Sequence, residues 1–154
     1  MLFRSAEGEL DPALTAVDLE HAKVRRAGRD VTLVTYGNGL PKCLAAADAL
    51  ARDGIEAEVI DLRMLRPLDM PTVAKSVART RRIVIVDEGW KSGSISAEIA
   101  ARLAEEALYE LDAPIRRVCS REVPVPYAVH LEEAALPGVD GIVAAVRAIV
   151  PPRR

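Results

Sequence analysis

Residues 83–86 read IVIV and residues 87–89 read DEG, and this stretch decides the fold class of the 154-residue chain. Four consecutive β-branched residues predict a strand whose two faces are both covered by helices. The acidic pair and the glycine that follow predict that the strand ends at residues 87–89. Because strands buried on both faces are typical of parallel sheets, the stretch predicts an α/β domain.

Outward from this strand, apolar runs alternate with segments of helical spacing. Strands are predicted at residues 31–36, 55–62, 83–86 and 115–119, and helices at residues 40–51, 70–78, 96–111 and 139–150. Ser96 is predicted to cap the long third helix. Residues 122–137 hold three prolines and are predicted to form an irregular loop. This order of elements predicts a three-layer domain with a mainly parallel sheet.

The composition is that of one globular domain. Half of the residues are hydrophobic and 29% are charged, which supplies enough apolar side chains for a core and lies far from disordered compositions. The 21 basic and 23 acidic side chains give a net charge of −2. This charge lacks the basic excess with which proteins bind phosphate backbones, so we expect no nucleic-acid partner.

The sequence indicates neither a membrane protein nor a disulfide framework. No apolar run approaches the roughly 18 residues of a membrane span, and charged side chains within residues 1–10 do not fit a signal peptide. Of the two cysteines, Cys43 falls among the apolar positions of a helix, as a buried reduced thiol would. We expect a cytoplasmic protein without a membrane partner.

The periodicity divides the chain into three segments. Residues 1–29 lack a sustained pattern and are predicted to be a connecting arm. Residues 30–150 contain the alternating elements and form the domain. Residues 151–154, which read PPRR, are a tail.

The turn at residues 37–39 (GNG) lies between a strand and a helix, where backbone N–H groups can bind a phosphate. A dinucleotide-binding loop would have a third glycine where this chain has Lys42, and Pro41 lacks an N–H group. The pattern therefore favours a tight turn over an anion site.

The carboxylates of Asp87 and Glu88 follow the best-defined strand, at the edge where ligand sites of α/β sheets form. Acid–base chemistry would require one of them to be desolvated. No histidine, cysteine or lysine constellation accompanies them, and Trp90, the only tryptophan, stands beside them. Because tryptophan is a frequent anchor of protein contacts, we interpret this position as structural or as an interface.

Other candidate chemistry fails on spacing. His21 and His130 are separated by most of the chain and form no metal-binding or general-base pair. The serines of residues 93–96 (GSIS) lack the second glycine of a nucleophile elbow. The residues alone thus indicate an α/β domain without catalytic, cofactor-binding or metal-binding residues.

Read together, residues 30–150 resemble the carboxy-terminal domain of the beta subunit of thiamine-diphosphate-dependent 2-oxoacid dehydrogenases. The segments that carry the resemblance are residues 30–37 (DVTLVTYG), 54–69 (GIEAEVIDLRMLRPLD), 86–90 (VDEGW), 97–99 (AEI) and 123–137 (VPVPYAVHLEEAALP). The resemblance implies a transketolase-type domain, a three-layer αβα sandwich around a five-stranded mixed sheet with one antiparallel strand. The fifth strand is expected in the arm or in the proline-rich loop.

The resemblance also implies the chemistry of a parent enzyme. That enzyme decarboxylates a 2-oxoacid on thiamine diphosphate and magnesium and acylates a lipoyl group. In the family the cofactor lies between the alpha subunit and the other half of the beta subunit, and the paired-asparagine signature that holds it cannot occur here, where Asn38 is the only asparagine. We therefore expect the domain alone to be inactive and to hold no cofactor.

What the resemblance implies for this chain is contact surface. A two-fold homodimer is expected, beside partnership with the alpha subunit and the acyltransferase core of a dehydrogenase complex. The expected dimer residues are Glu88, Gly89, Trp90, Pro126 and Tyr127. Asp112 occupies a position where an acidic residue docks the acyltransferase in some family members.

Two other functions remain open from the sequence. The first is that the chain is the carboxy-terminal domain of a transketolase or a deoxyxylulose phosphate synthase, enzymes that have the same fold in this domain. The second is that the chain is a stand-alone module that binds an anion or nucleotide at residues 37–39.

Overall fold

The computed structural model describes Ala16 and residues 18–151, and its centre is a five-stranded sheet. The strands are β1 (Lys23–Arg26), β2 (Val31–Thr35), β3 (Ala57–Asp61), β4 (Ile83–Trp90) and β5 (Arg116–Ser120), in the spatial order β1-β3-β2-β4-β5. Strands β2 to β5 are mutually parallel, and β1 runs antiparallel to β3. The predicted five-stranded mixed sheet with one antiparallel strand is confirmed.

Helices cover both faces of the sheet. They are α1 (Gly39–Arg52), α2 (Met70–Thr80), α3 (Ile95–Glu106), α4 (Val129–Ala135) and α5 (Val139–Arg147), with a short 3-10 helix at Leu108–Glu110. Helices α1 and α5 share one apolar cluster with the sheet, and α2 and α3 share the other. Within the part of the chain that the structure describes, every helix is too short or too polar to cross a bilayer.

The four apolar residues of β4 join the two clusters. Val84 and Val86 pack toward α1 and α5, whereas Ile83 and Ile85 pack toward α2 and α3. All four side chains are buried. This arrangement confirms that the β-branched run is a central strand covered on both faces.

The fifth strand lies in the segment predicted to be a connecting arm. Strand β1 reads KVRR and is mostly exposed, so it lacks the apolar pattern by which the other strands are recognised. Backbone pairing with β3 holds it to the domain, and two ion pairs add to this: Arg25 donates to Asp61 at 2.8 Å, and Arg26 pairs with Asp48 on α1. Residues 1–15 and 17 of the predicted arm, and residues 152–154 of the predicted tail, lie outside the described residues.

Two boundary predictions around β4 are wrong. The strand continues to Trp90, because the register with β5 shifts between Asp87 and Trp90 and so allows the pairing to continue. Ser96 is not the cap of α3 but lies inside its first turn. The Ser96 N–H donates to Asp87 at 2.8 Å, so a carboxylate from the preceding strand takes the place of a capping serine.

Two further segments differ from the predictions. The third helix ends at Glu106, and the chain turns into the 3-10 helix instead of continuing to Leu111. Residues 122–137 are not wholly irregular, because α4 forms between Pro126 and Pro137. Prolines restrict helices only near their own positions, and the proline-free stretch between them contains good helix formers.

A buried hydroxyl network joins β2 to α2 near the amino end of the sheet. The Thr32 hydroxyl lies 2.6 Å from those of Ser76 and Thr80, and the Ser76 hydroxyl donates to Glu58 at 2.6 Å. Glu58 also accepts from Arg79, whose side chain reaches solvent. Every hydroxyl in this network has a partner, as buried polar groups require.

Candidate functional site

One buried carboxylate organises the carboxyl edge of the sheet. Asp87, only 1% exposed, lies where β4 approaches its end. Its Oδ1 accepts hydrogen bonds from the Tyr36 hydroxyl at 2.7 Å and from the Gly89 N–H at 2.8 Å. Its Oδ2 accepts from the Ser96 N–H at 2.8 Å. A single side chain therefore connects the residue after β2, the end of β4 and the first turn of α3.

The environment of Asp87 keeps the carboxylate ionised. Burial acts to raise its pKa, but the hydrogen bonds outweigh burial, so the pKa lies below the ordinary carboxyl value. Burial and the hydrogen bond to Asp87 raise the pKa of Tyr36. The lowered pKa keeps Asp87 ionised as the acceptor, and the raised pKa keeps the Tyr36 hydroxyl protonated as the donor. The geometry therefore favours a structural role for Asp87 over acid–base catalysis.

The lowered pKa of Asp87 makes stability depend on pH. Its contribution is fully present above the ordinary carboxyl value of about 4 and is lost as the pH falls through the lower folded-state pKa. Replacing Asp87 by asparagine turns an amide NH2 toward at least one of the three donors. We expect a loss of about 1–3 kcal/mol in the free energy of unfolding at neutral pH.

Urea unfolding of wild type and Asp87→Asn measures this loss. The difference between the two proteins should be smaller at about pH 3 than at neutral pH, because the contribution of the wild-type carboxylate is progressively lost below the ordinary carboxyl pKa of about 4. An equal difference at both pH values would show that the charge of Asp87 contributes nothing.

Apolar side chains are exposed beside this carboxylate. Trp90 is 51% exposed, and its backbone pairs with Ser120 at the end of β5. The chain that leaves β5 exposes five large apolar side chains within the segment 123–131: Val123, Val125, Tyr127, Val129 and Leu131. Each is at least 42% exposed. We call Trp90 and these five side chains the carboxyl-edge surface.

The carboxyl-edge surface contains two of the five predicted dimer residues, Trp90 and Tyr127, and the other three are their neighbours along the chain. Glu88, Gly89 and Trp90 lie at the end of β4, and Pro126 and Tyr127 lie between β5 and α4. Both segments occupy one edge because parallel β4 and β5 end there. Their part in a dimer stays a prediction.

Sequence reasoning did not single out Val123, Val125, Val129 and Leu131. The feature that could have indicated Val123 and Val125 is the alternation of valine and proline in residues 123–126. Such a segment is extended and leaves its apolar side chains exposed.

Asp112 lies at the opposite edge of the sheet, before the start of β5. Its carboxylate pairs with Arg81 at 3.1 Å and lies 3.9 Å from Arg82, and its side chain is 45% exposed. A shallow groove beside it is lined mainly by apolar side chains, those of Leu108, Leu111, Ala113, Pro114 and Ile115. The structure therefore separates Asp112 from the carboxyl-edge surface, and its predicted docking role is untested.

The turn at residues 37–39 closes on itself. The Gly39 N–H donates to the Tyr36 carbonyl at 3.1 Å, and the Leu40 N–H donates to the Gly37 carbonyl at 3.3 Å. Gly39 has no room for a side chain, because a Cβ would lie 2.1 Å from the Thr35 hydroxyl oxygen. These contacts favour the tight turn over an anion site.

The histidines and cysteines do not come together. His21 hydrogen-bonds to Asp18 at 2.8 Å, which raises the pKa of the imidazole, and His130 is exposed on α4. Burial raises the pKa of Cys43 to about 12, and the Cys119 sulfur lies 3.3 Å from the Ser96 hydroxyl. Among the described residues, no group of three histidine, cysteine or carboxylate side chains is placed to hold a metal ion.

Comparison with known proteins identifies the family. Residues 20–142 match the family described as transketolase, C-terminal domain. The chain is 46% identical over 128 residues to the pyruvate dehydrogenase E1 component subunit beta of Rhizobium meliloti (strain 1021), covering 83% of this chain and 28% of that subunit. It is 45% identical over 133 residues to the mitochondrial subunit of the same name from Dictyostelium discoideum, covering 86% of this chain and 37% of that subunit.

A third relative has a different printed activity. It is the acetoin:2,6-dichlorophenolindophenol oxidoreductase subunit beta of Cupriavidus necator, which is 43% identical over 141 residues, with 92% of this chain and 42% of that subunit covered. The chain thus spans less than half of the length of these relatives. The predicted resemblance to beta subunits of this kind is confirmed.

Solved structures share the fold. A split gene transketolase, described as an inactive beta4 tetramer, matches 98% of this chain and 48% of its own with a TM-score of 0.79 and 28% identity. The 2-oxoglutarate:ferredoxin oxidoreductase from Magnetococcus marinus matches 85% of this chain and 19% of its own with a TM-score of 0.57 and 16% identity, and shows the fold alone. The sequence match and these folds agree that the chain belongs to the transketolase C-terminal domain family.

Proposed function

We propose that this chain is the assembly domain of a pyruvate dehydrogenase-like beta subunit. The parent enzyme would decarboxylate a 2-oxoacid on thiamine diphosphate and acylate a lipoyl group. The support is the identity of 43–46% to beta subunits whose names state pyruvate dehydrogenase or acetoin oxidoreductase activity. The domain itself contributes contacts and no catalytic group.

The observation that carries the assembly role is the carboxyl-edge surface. Six large apolar side chains are exposed along one edge of the sheet, where a monomer would leave them in water. Exposed apolar side chains at one edge of a sheet are typical of a protein contact, and aromatic residues such as Trp90 and Tyr127 are typical anchors. The role is tested by the mass of the chain in solution as a function of concentration.

A second copy of the chain is the proposed occupant of this surface. A two-fold contact pairs the surface with itself, so apolar side chains on one copy meet apolar side chains on the other. The similar split gene transketolase is described as a tetramer of beta chains, which shows self-association of a related protein. In the complete enzyme, the alpha subunit would complete the assembly.

Asp112 offers a separate surface for the acyltransferase core. It lies at the opposite edge of the sheet and would stay accessible in a dimer formed through the carboxyl-edge surface. Arg81 donates to its carboxylate and to the Glu110 carboxylate, which partly neutralises both acids. A basic partner would therefore compete with Arg81 for Asp112.

Magnesium and thiamine diphosphate are proposed to be bound by other parts of the enzyme. Among the described residues, no group of three histidine, cysteine or carboxylate side chains is placed to hold a metal ion by itself. Isothermal titration of the chain with magnesium and thiamine diphosphate should therefore produce no binding heat. A dissociation constant in the micromolar range would contradict the assignment of cofactor binding to other parts of the enzyme.

A transketolase is the second candidate parent. The favouring observation is the match of 98% of this chain to the split gene transketolase. Its identity of 28% is lower than the 43–46% of the dehydrogenase and oxidoreductase subunits, so we rank it second.

A further inference from the structure

Asp87 holds both ends of the segment that presents Trp90. Its Oδ1 accepts from the Gly89 N–H, at the start of the segment 88–94, and its Oδ2 accepts from the Ser96 N–H, just after that segment. Trp90 lies between these two attachments. The Asp87 carboxylate therefore restrains the backbone on both sides of Trp90.

The same segment is attached on its outer side to β5 and to the chain beyond it. The Ser120 hydroxyl donates to the Glu88 carbonyl at 2.6 Å. The Ser92 hydroxyl and N–H donate to one Glu122 oxygen at 2.7 and 3.1 Å. These contacts link the segment 88–94 to the start of the exposed segment 123–131. The two halves of the carboxyl-edge surface are thus joined into one unit.

The segment is also tightly packed at its centre. A Cβ at Gly89 would lie 3.0 Å from Asp87 Oδ1 and 3.1 Å from the Ser94 Cβ. Only a residue without a side chain fits between the carboxylate and α3 without displacing them. The close approach of the backbone to Asp87 is therefore part of how the segment is held.

The Tyr36 hydroxyl completes the attachment from the neighbouring strand. It donates to Asp87 Oδ1 at 2.7 Å and comes from the residue directly after β2, outside the 88–94 segment. The donors to Asp87 that the structure shows are all uncharged. Because Oδ2 lies at the amino end of α3, the positive end of the helix dipole favours the ionised form of the carboxylate. Losing the Tyr36 donor would leave Asp87 with the backbone donor Gly89 in the segment 88–94 and the backbone donor Ser96 in the first turn of α3.

Holding a contact segment in place matters for association. Ordering a loop or side chain during binding opposes affinity, so a surface that is already ordered binds more tightly. Asp87 is too buried to contact another molecule. Its effect on association must therefore act through the segment 88–94.

We propose that Tyr36 and Asp87 are positioning residues that fix the segment 88–94 and so pre-organise Trp90 for self-association. This inference rests on the dimer of the proposed function. It predicts that removing the Tyr36 hydroxyl weakens the dimer as well as the fold.

The test compares Tyr36→Phe with wild type. Phenylalanine retains the packing of the ring and removes only the donor to Asp87. Sedimentation should show a dimer dissociation constant about tenfold higher, because a loosened segment 88–94 in each of the two copies must be ordered on association. Trp90 is the only tryptophan, so its fluorescence reports on the segment alone. At low concentration, where both proteins are monomeric, acrylamide should quench this fluorescence more strongly in Tyr36→Phe than in wild type.

Thr32→Val is the matched control. It removes a buried hydroxyl from the same strand at its other end, where the partners are Ser76 and Thr80. It should lower the free energy of unfolding while leaving the dimer dissociation constant and the Trp90 quenching at wild-type values.

The possible outcomes separate the two claims. Equal dimer affinity and equal Trp90 quenching in Tyr36→Phe and wild type would overturn the positioning role while leaving the dimer intact. A wild-type chain that stays monomeric would contradict the proposed function. In that case, increased quenching in Tyr36→Phe would still support the control of the 88–94 segment, and unchanged quenching would overturn it.

Discussion

Trp90→Glu is expected to convert the dimer into folded monomers. Trp90 is 51% exposed and belongs to the carboxyl-edge surface, so glutamate is tolerated in the monomer but places a charge in the contact. A two-fold contact repeats the change in both copies. With about 2 kcal/mol lost at each copy of an anchor residue, the dissociation constant should rise about a thousandfold.

Tyr109→Glu provides the matched control for this prediction. Tyr109 is 92% exposed in the 3-10 helix at the opposite edge of the sheet, so the variant makes the same type of change outside the carboxyl-edge surface. Sedimentation velocity should show Tyr109→Glu as a dimer and Trp90→Glu as a monomer, with similar thermal unfolding. A Trp90→Glu protein that dimerises like wild type would remove this residue from the interface.

Ile85→Ala is expected to lower the free energy of unfolding by about 2–5 kcal/mol. Ile85 lies in the middle of β4 and is buried in the apolar cluster formed with α2 and α3. Alanine removes methylene and methyl groups that neighbouring side chains cannot replace, because helices fix both sides of the strand. The loss is a large fraction of the stability of an ordinary domain.

Urea unfolding measures this loss against Leu108→Ala. Leu108 is more than half exposed in the 3-10 helix, so its truncation should change stability by less than about 0.5 kcal/mol. An Ile85→Ala midpoint within error of wild type would contradict the placement of β4 at the centre of the core.

The central strands were predictable because burial leaves a strong pattern in the sequence. Residues 83–86 are β-branched at every position, which only a strand covered on both faces requires. Strand β1 leaves no such pattern, since it is a polar edge strand held by the pairs Arg25–Asp61 and Arg26–Asp48. Its existence was implied by the family resemblance, but its location required the folded chain.

The role of Asp87 could not be predicted from local pattern. Its three donors, at residues 36, 89 and 96, come together only when β2, β4 and α3 are assembled. The capping rule looks for a serine or an acid directly before a helix, and so it selected Ser96. The actual acceptor lies at the end of the preceding strand, which a rule based on neighbouring positions does not detect.

The carboxyl-edge surface was predictable in part. The sequence indicated Trp90 and the segment at Pro126 and Tyr127 as contact residues, and the structure places both at one edge with exposed aromatic side chains. It did not indicate that α4 adds Val129 and Leu131 to the same surface. Large apolar side chains are more often buried than exposed, and only the folded chain shows that this short helix leaves both in solvent.

Sedimentation velocity of the wild-type chain over a wide concentration range tests the assembly role most directly. The account predicts a concentration-dependent shift to a species of twice the 16.6 kDa monomer mass. A wild-type chain that remains monomeric at hundreds of micromolar would contradict it.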